Sequence, residues 1–462
     1  MRVSWSSSGS DLYLDWHPDS GRLGLADALR AAIREGRLGP RSALPSTRVL
    51  ARDLGIARGT VTRVYAQLAA EGYLRTSQGA PTTVRSLHHT PAAVPPVPAV
   101  PAATARWDLR PCRPDPSAFP RQQWLTLTRR VMQRTSPSDL FGYGDEFGPL
   151  PLRAALSRYL ARARGVVASP GRIALCAGFS HAMALLCRAF RNLGIDEIAF
   201  EDPGLASLRR VAATAGHRVV GVPVDESGID VSAVHGPALV VTPAHQFPTG
   251  ATLAPERRSE LVGRAGRNGT LIVEDDYDGE FRFDRRQVGA LQALAPERVV
   301  YAGTASKTLA PSLRIGWLVL PRALVEPMRV AIAETGWHQP ALDQLVLAEL
   351  IDSGGYDQHV RRCRAAYRRR RDRLLAAMPD YLTPRGISAG LHVLLSLPEG
   401  AASEQAVLAA ARRHSVELGV LGDYWVSEGP HPQGLVVGFT TPAEHAFGPT
   451  LDAFLAALRE VY

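Results

Sequence analysis

Lys307 is the only lysine in a chain of 462 residues; the other 52 of its 53 basic side chains are arginine. Arginine replaces lysine well in ion pairs, phosphate binding and surface solvation. It does not form a Schiff base, because its guanidinium keeps its proton in proteins. A single retained lysine therefore points to chemistry that only an amine performs. The commonest is an imine with an aldehyde such as pyridoxal 5′-phosphate. A biased composition also leaves one lysine by chance, so the neighbours of Lys307 decide between the two.

Thr304-Ala305-Ser306-Lys307 follows an apolar, strand-like run, and Arg314 lies seven residues further on. Glu274-Asp275-Asp276-Tyr277 ends a second such run, and Gly178-Phe179-Ser180 ends a third and opens a helical stretch rich in alanine and leucine. A pyridoxal ring needs a lysine amine at its aldehyde carbon. It also needs a carboxylate at the pyridine nitrogen and a donor at the ring hydroxyl. Its phosphate needs a helix N-terminus, small hydroxyls and an arginine. Residues two apart on a strand share a face, which groups Asp275 with Tyr277 and turns Asp276 away. We therefore expect Lys307 as the Schiff-base residue, Asp275 at the ring nitrogen and Tyr277 at the ring hydroxyl. Gly178, Ser180, Thr304, Ser306 and Arg314 are expected around the phosphate, with Phe179 beside it. Singly these signals are weak; in this order around the only lysine they define a site. The histidines show no metal-ligand spacing, so no metal is expected. His245 has either a pocket or a structural role.

The elements that position this site follow from pattern. Apolar runs at Ile173–Cys176, Glu197–Phe200, Ala238–Thr242, Thr270–Val273 and Arg298–Tyr301 alternate with helix-like stretches. That alternation predicts an α/β domain on a mostly parallel sheet. Upstream, residues 86–106 interleave five prolines with alanine and valine, which reads as a semi-rigid linker. Before it lies a small basic module. Leu23–Arg34 has helical spacing, Ser46 is placed to cap a helix through Leu54, and Gly55 makes a turn. Ala57–Ala70 is a third helix with Val61, Tyr65 and Leu68 inward. Leu74–Arg85 forms two short strands around Gln78–Gly79. Two helices, a tight turn and a two-stranded wing make a winged helix-turn-helix, whose second helix enters the major groove of double-stranded DNA. Arg58, Thr60, Thr62 and Arg63 fall at the outward end of that helix.

Length, charge and cysteines set the frame. A chain of 462 residues predicts two or three domains. The formal charge of +9 is compatible with nucleic acid. Cys112, Cys176, Cys187 and Cys363 are scattered without a CxxC pair, which fits a reduced cytoplasmic protein. No apolar run reaches membrane-span length and Met1–Ser10 is polar, so neither a membrane nor a signal peptide is expected. Arg361, Arg362, Arg364, Arg368, Arg369, Arg370, Arg371 and Arg373 form a basic helix, read chiefly as a solvated face and otherwise as an auxiliary phosphate contact.

Residues 23–85 resemble the GntR-type DNA-binding domain through Leu44-Pro45-Ser46-Thr47-Arg48, Leu50-Ala51, Leu54-Gly55, Arg58, Thr60-Val61, Tyr65, Leu68 and Glu71-Gly72-Tyr73. The resemblance implies that Arg48 and Arg58 contact DNA and that Gly79 marks the wing, where Ala80-Pro81 departs from the usual glycine-rich turn. Residues 107–462 resemble the aminotransferase-like domain of the MocR (GabR-like) regulators. Phe119-Pro120, Tyr143-Gly144-Asp145, the run Thr242 to Gly250, Glu274 to Asp278, Ser306-Lys307, Arg314-Ile315-Gly316 and Gly390-Leu391-His392 carry it. It implies a winged helix-turn-helix over 1–85, a linker over 86–106 and a fold-type-I pyridoxal-phosphate domain over 107–462. That domain would have a smaller α+β subdomain from about residue 340. It further implies a homodimeric, cytoplasmic transcription regulator in which cofactor, with or without a small amino compound, modulates operator binding. The alternative is a working aminotransferase with an accessory DNA-binding module. Two departures stand out. Leu205, which offers only dispersion, occupies the place of a ring-stacking aromatic; Phe179 is one candidate substitute, and the sequence leaves open what replaces the aromatic. The stretches Leu421–Trp425 and Gly434–Phe439 contain no substrate-carboxylate arginine.

Overall fold

The computed structural model describes the chain except residues 1–2, 8–9, 15, 18–20, 78, 87–104, 285–287, 337, 399 and 401. It forms two compact units, Met1–Ala102 and Ala103–Tyr462. Nearly all of the linker expected at 86–106 falls outside the described residues.

The first unit holds helices Gly21–Arg34, Thr47–Leu54 and Arg58–Ala70, then antiparallel strands Leu74–Ser77 and Ala80–Val84. Ser46 caps the second helix, its hydroxyl accepting from the Val49 amide at 3.3 Å. Gly55 ends that helix in the left-handed conformation at φ 67°, which costs glycine nothing. Val61, Tyr65 and Leu68 face inward as their spacing predicts, joined by Val64, against Leu25, Leu29, Leu50 and Leu54. The Tyr65 hydroxyl donates to the Pro45 carbonyl at 2.9 Å and ties the third helix to the loop before the second. A hairpin of Val3–Ser7 with Ser10–Leu14 precedes the helices. Its alternation is too polar to stand out in the sequence.

The second unit is built on an eight-stranded sheet. Its order is Ile173–Cys176, Gly316–Val319, Val299–Thr304, Leu271–Asp275, Ala238–Val241, Glu197–Asp202, Arg218–Asp225 and Gly228–Ile229. Gly316–Val319 and Gly228–Ile229 run against the rest, and the other strands share one direction. The strands Ala238–Val241, Leu271–Asp275 and Val299–Thr304 are buried at every position because both faces of the sheet are covered. Ala238, Val240, Leu271 and Val273 pack with Leu186 and Phe190 of the helix Phe179–Asn192. Their neighbours Leu239, Val241 and Ile272 pack with Leu261 and Ala265 of the helix Pro255–Asn268.

A second sheet orders Thr383–Arg385, His392–Ser396, Gly434–Gly438, Val416–Val420 and Trp107–Leu109. The smaller subdomain therefore recruits the start of the unit, with Trp107–Leu109 parallel to Val416–Val420. The helix Ala341–Asp352, placed by its sequence position in that subdomain, packs instead with Leu156, Tyr159 and Trp317 of the larger one. It is apolar almost all round and needs a fully covered place. The basic helix spans Gly355–Ala377. One of its arginines departs from the solvated-face reading. Arg370 falls on the buried stripe of Tyr356, Val360, Cys363, Tyr367 and Leu374. It donates to Asp115 at 2.9 Å, Glu444 at 3.2 Å and the Thr440 carbonyl at 2.8 Å. Arg361, Arg364, Arg368 and Arg369 line a cleft of about 900 Å³. Among the described residues no helix is long and apolar enough to cross a membrane.

Candidate functional site

The carboxyl ends of the co-directional strands converge on one pocket of about 540 Å³, the usual ligand position in open α/β sheets. Gly178, Phe179, Ser180, Asp275, Tyr277, Thr304, Ser306, Lys307 and Arg314 all line it. Gly178 precedes the helix Phe179–Asn192 at φ 86°, so the free amides of the helix start face the pocket. A Cβ at Gly178 would lie 3.5 Å from both terminal nitrogens of Arg314, which places that guanidinium over the helix start. Among the described residues the guanidinium has no hydrogen bond or ion pair. Thr304 accepts from the Ser306 amide at 3.1 Å through its hydroxyl, while the Ser306 hydroxyl is buried without a partner among the described residues.

Opposite these donors lies a carboxylate. Asp275 is buried and accepts no hydrogen bond from a described residue; burial pushes its carboxyl well above the usual range, with the charge of Lys307 opposing. Asp276 faces the other way, as the two-residue period predicts, and pairs with Arg164 at 2.6 and 3.0 Å. The Lys307 amine donates to the Cys112 carbonyl at 2.8 Å. The Tyr277 hydroxyl donates to the His245 carbonyl at 3.1 Å and lies 3.1 Å from His245 Nδ1.

Several pocket residues carry no sequence signal. Arg110, Cys112 and Arg113 arrive from a loop almost 200 positions before the lysine. Phe247 and Tyr424 meet edge-on at 4.9 Å on the wall that Leu205 also lines. Phe179, the candidate aromatic substitute, lines the pocket and packs on the core. His245 Nδ1 lies 2.9 Å from Asp278, and His392 Nε2 lies 3.3 Å from the Pro248 carbonyl. Ligand atoms of His245, Asp278 and His392 thus fall within 4.8 Å of one another. A Cβ at Gly390 would collide with the His245 ring, which explains glycine there beyond its φ of 75°.

Glu201 was also invisible. Buried on the pocket wall, it accepts from the Thr242 hydroxyl at 2.5 Å and amide at 3.2 Å. Burial pushes its carboxyl from 4.5 up to about 7, and the Thr242 bonds hold it back. As pH rises from 4.5 to 7 the unfolded chain ionises first, so this group's contribution to stability falls over that window. Glu201→Gln should therefore gain on the wild type between pH 5 and 7.5, by up to about 3 kcal/mol in urea unfolding. A difference that stays constant with pH would refute this.

In the first unit Arg48, Arg58, Thr62 and Arg63 are exposed and Thr60 is half-buried. Arg58, Thr60, Thr62 and Arg63 occupy the first turns of the helix Arg58–Ala70, where Arg58 donates to the Thr47 hydroxyl at 3.4 Å. Gly79 turns the wing at φ 78°.

Residues 22–84 match the family described as bacterial regulatory proteins, gntR family, and residues 116–412 match aminotransferase class I and II. The chain is 32% identical to the HTH-type pyridoxine biosynthesis transcriptional regulator PdxR of Corynebacterium glutamicum, over 90% of this chain and 91% of the relative. It is 33% identical to the probable rhizopine catabolism regulatory protein MocR of Rhizobium meliloti, over 90% and 89%. Among solved structures, kynurenine aminotransferase of Pyrococcus horikoshii superposes with a TM-score of 0.69 at 23% identity, covering 78% of this chain and 92% of that one. With both domain signatures in one chain and full-length relatives of the same design, the chain belongs to the family of helix-turn-helix transcription regulators that join a GntR-type domain to an aminotransferase-like domain.

Proposed function

We propose that the pocket holds pyridoxal 5′-phosphate and that the cofactor, alone or with a small amino compound, modulates operator binding by residues 1–85. The observation that carries this reading is the chain's single lysine, set in one pocket with a buried carboxylate, a buried hydroxyl and an arginine that have no partner among the described residues. These groups fit the cofactor. Asp275 would hold a protonated ring nitrogen. Arg314, Ser180, Ser306, Thr304 and the helix start at Gly178 would hold the phosphate. Tyr277 would serve the ring hydroxyl by turning its O–H from the His245 carbonyl, while His245 and Asp278 keep the phenol in place. Bound there, pyridoxal phosphate supplies an aldehyde that condenses with amines and a ring that withdraws electrons. A cytoplasmic homodimer fits the family and the exposed Phe141, Tyr143 and Leu150.

A ligand shifts a regulator only through unequal affinity for two states. The test compares binding to a duplex selected from random sequences by the wild-type protein. Cofactor-free protein, cofactor-loaded protein and loaded protein with a panel of amino compounds are measured. A change in affinity or footprint is expected, and identical binding in every case would reduce the second unit to a scaffold. In the same assay Arg58→Ala should weaken binding. If Arg58 reads guanine, the loss is about 1–3 kcal/mol at one base position. If it contacts phosphate, the loss is uniform and the salt slope falls by about one. Unchanged affinity would mean that the helix Arg58–Ala70 does not read the duplex.

A further inference from the structure

The pocket carries a cation that the cofactor does not use. Its charged lining residues are Arg110, Arg113, Lys307, Arg314, Glu201, Asp275 and Asp423. Lys307, Arg314 and Asp275 belong to the cofactor's place, and Glu201 is committed to Thr242. Two arginines remain beside the exposed Asp423, both on the loop that reaches the lysine, and their situations differ. Arg110 is held by Asp108 through two bonds of 2.9 and 2.8 Å and faces Glu417 at 3.6 Å. Arg113 makes one longer bond, 3.1 Å, to the Asp108 oxygen that Arg110 already uses. Its side chain is 48% exposed, and among the described residues its other guanidinium nitrogens have no partner.

Position adds to charge. The Cys112 carbonyl accepts directly from the Lys307 amine, so Arg113 is the next residue after the contact with the reacting group. The loop is held there from both sides. Cys112 adopts the left-handed conformation at φ 60°, and the Arg113 carbonyl accepts from the hydroxyls of Thr440 and Thr441. A guanidinium with free donors on a fixed loop is pre-organised for two-point pairing with a carboxylate. Leu421–Trp425 and Gly434–Phe439 offer no competing arginine.

We propose that Arg113 is the specificity residue of this pocket and pairs with the carboxylate of a carboxylate-bearing amino compound held at Lys307. This rests on the cofactor reading above. The amino end of the ligand goes to the cofactor and its anionic end to the 110–113 loop, so the ligand class is amino acids and not simple amines.

Two synthetic probes separate the claims: N-(5′-phosphopyridoxyl)-L-alanine and N-(5′-phosphopyridoxyl)ethylamine, which differ only in the carboxylate. Their affinities for the full-length, cofactor-free protein are measured by calorimetry. Wild type should prefer the alanine adduct by about tenfold or more, the scale of a charge-assisted pair. Arg113→Gln should abolish the preference by weakening that adduct alone, and Arg113→Lys should keep part of it. Unchanged binding of the ethylamine adduct reports an intact pocket. No preference in the wild type, or a preference that survives in Arg113→Gln, overturns the proposal. Equal loss of both adducts in Arg113→Gln and Arg113→Lys also overturns it, since Arg113 would then support the pocket and not the carboxylate. Failure of the wild type to bind either adduct overturns the cofactor reading itself.

Discussion

Lys307→Ala protein is expected to hold no covalently attached pyridoxal phosphate. Apart from the chain's α-amino group, Lys307 is the only amine in the sequence, and arginine cannot take its place. Wild type mixed with the cofactor should show a visible band, and borohydride should fix the cofactor on the peptide containing Lys307. The substitution should remove both signals completely. It should leave noncovalent affinity partly intact, because Asp275, Ser306 and Arg314 remain. A wild type that stays colourless with added cofactor would end the cofactor reading, and an alanine variant that still retains it after reduction would end the assignment of the attachment to Lys307. The variant also isolates attachment from occupancy. If operator binding follows the cofactor but not the covalent bond, the pocket senses presence of the ring.

Arg164→Met should cost about 3–5 kcal/mol of stability, the range for breaking one partner of a buried ion pair. The pair is close to fully enclosed, with Arg164 and Asp276 side chains 4% and 1% exposed. Asp276 accepts two bonds from Arg164 at 2.6 and 3.0 Å and one from the Tyr301 hydroxyl at 2.8 Å. Arg164 also donates to the Val288 carbonyl at 2.9 Å. Without the guanidinium, a buried carboxylate is left next to Asp275 and near Glu274 and Glu280, which burial already pushes up to about 7. Replacing both partners, as Arg164→Met with Asp276→Asn, should recover part of the loss because no uncompensated charge remains. Urea unfolding checks both variants. A loss below about 1 kcal/mol for Arg164→Met, typical of exposed pairs, would show that this pair does not hold the strand end.

These two expectations differ in how far the sequence reaches them. Lys307 and its companions are legible because each sits at the end of an apolar run, where a strand must stop and a loop must face the ligand. The two-residue period alone separated Asp275 and Tyr277 from Asp276. The partner of Asp276 was not legible. Arg164 closes a helix more than a hundred positions earlier, among 52 arginines that look alike in sequence. Arg370 shows the same limit: only the heptad-like stripe it shares with Tyr367 and Leu374 distinguishes it from its exposed neighbours.

By itself the sequence did not reach the hairpin of Val3–Ser7 with Ser10–Leu14, but it determined the winged helix-turn-helix, the mostly parallel sheet with its main strands, and the nine pocket residues. Such features are local, set by the spacing of apolar residues, by caps such as Ser46 and by turns such as Gly55. Tertiary structure alone decided which distant segments complete the pocket. It brought the Cys112 carbonyl to the lysine, Glu201 to Thr242, and His245, Asp278 and His392 together. It also sent Trp107–Leu109 to the smaller sheet and the helix Ala341–Asp352 to the larger one. The reason is physical. Periodicity specifies which face of an element is buried, but strand order specifies what lies across from it, and a buried polar group pairs with whichever partner that order delivers.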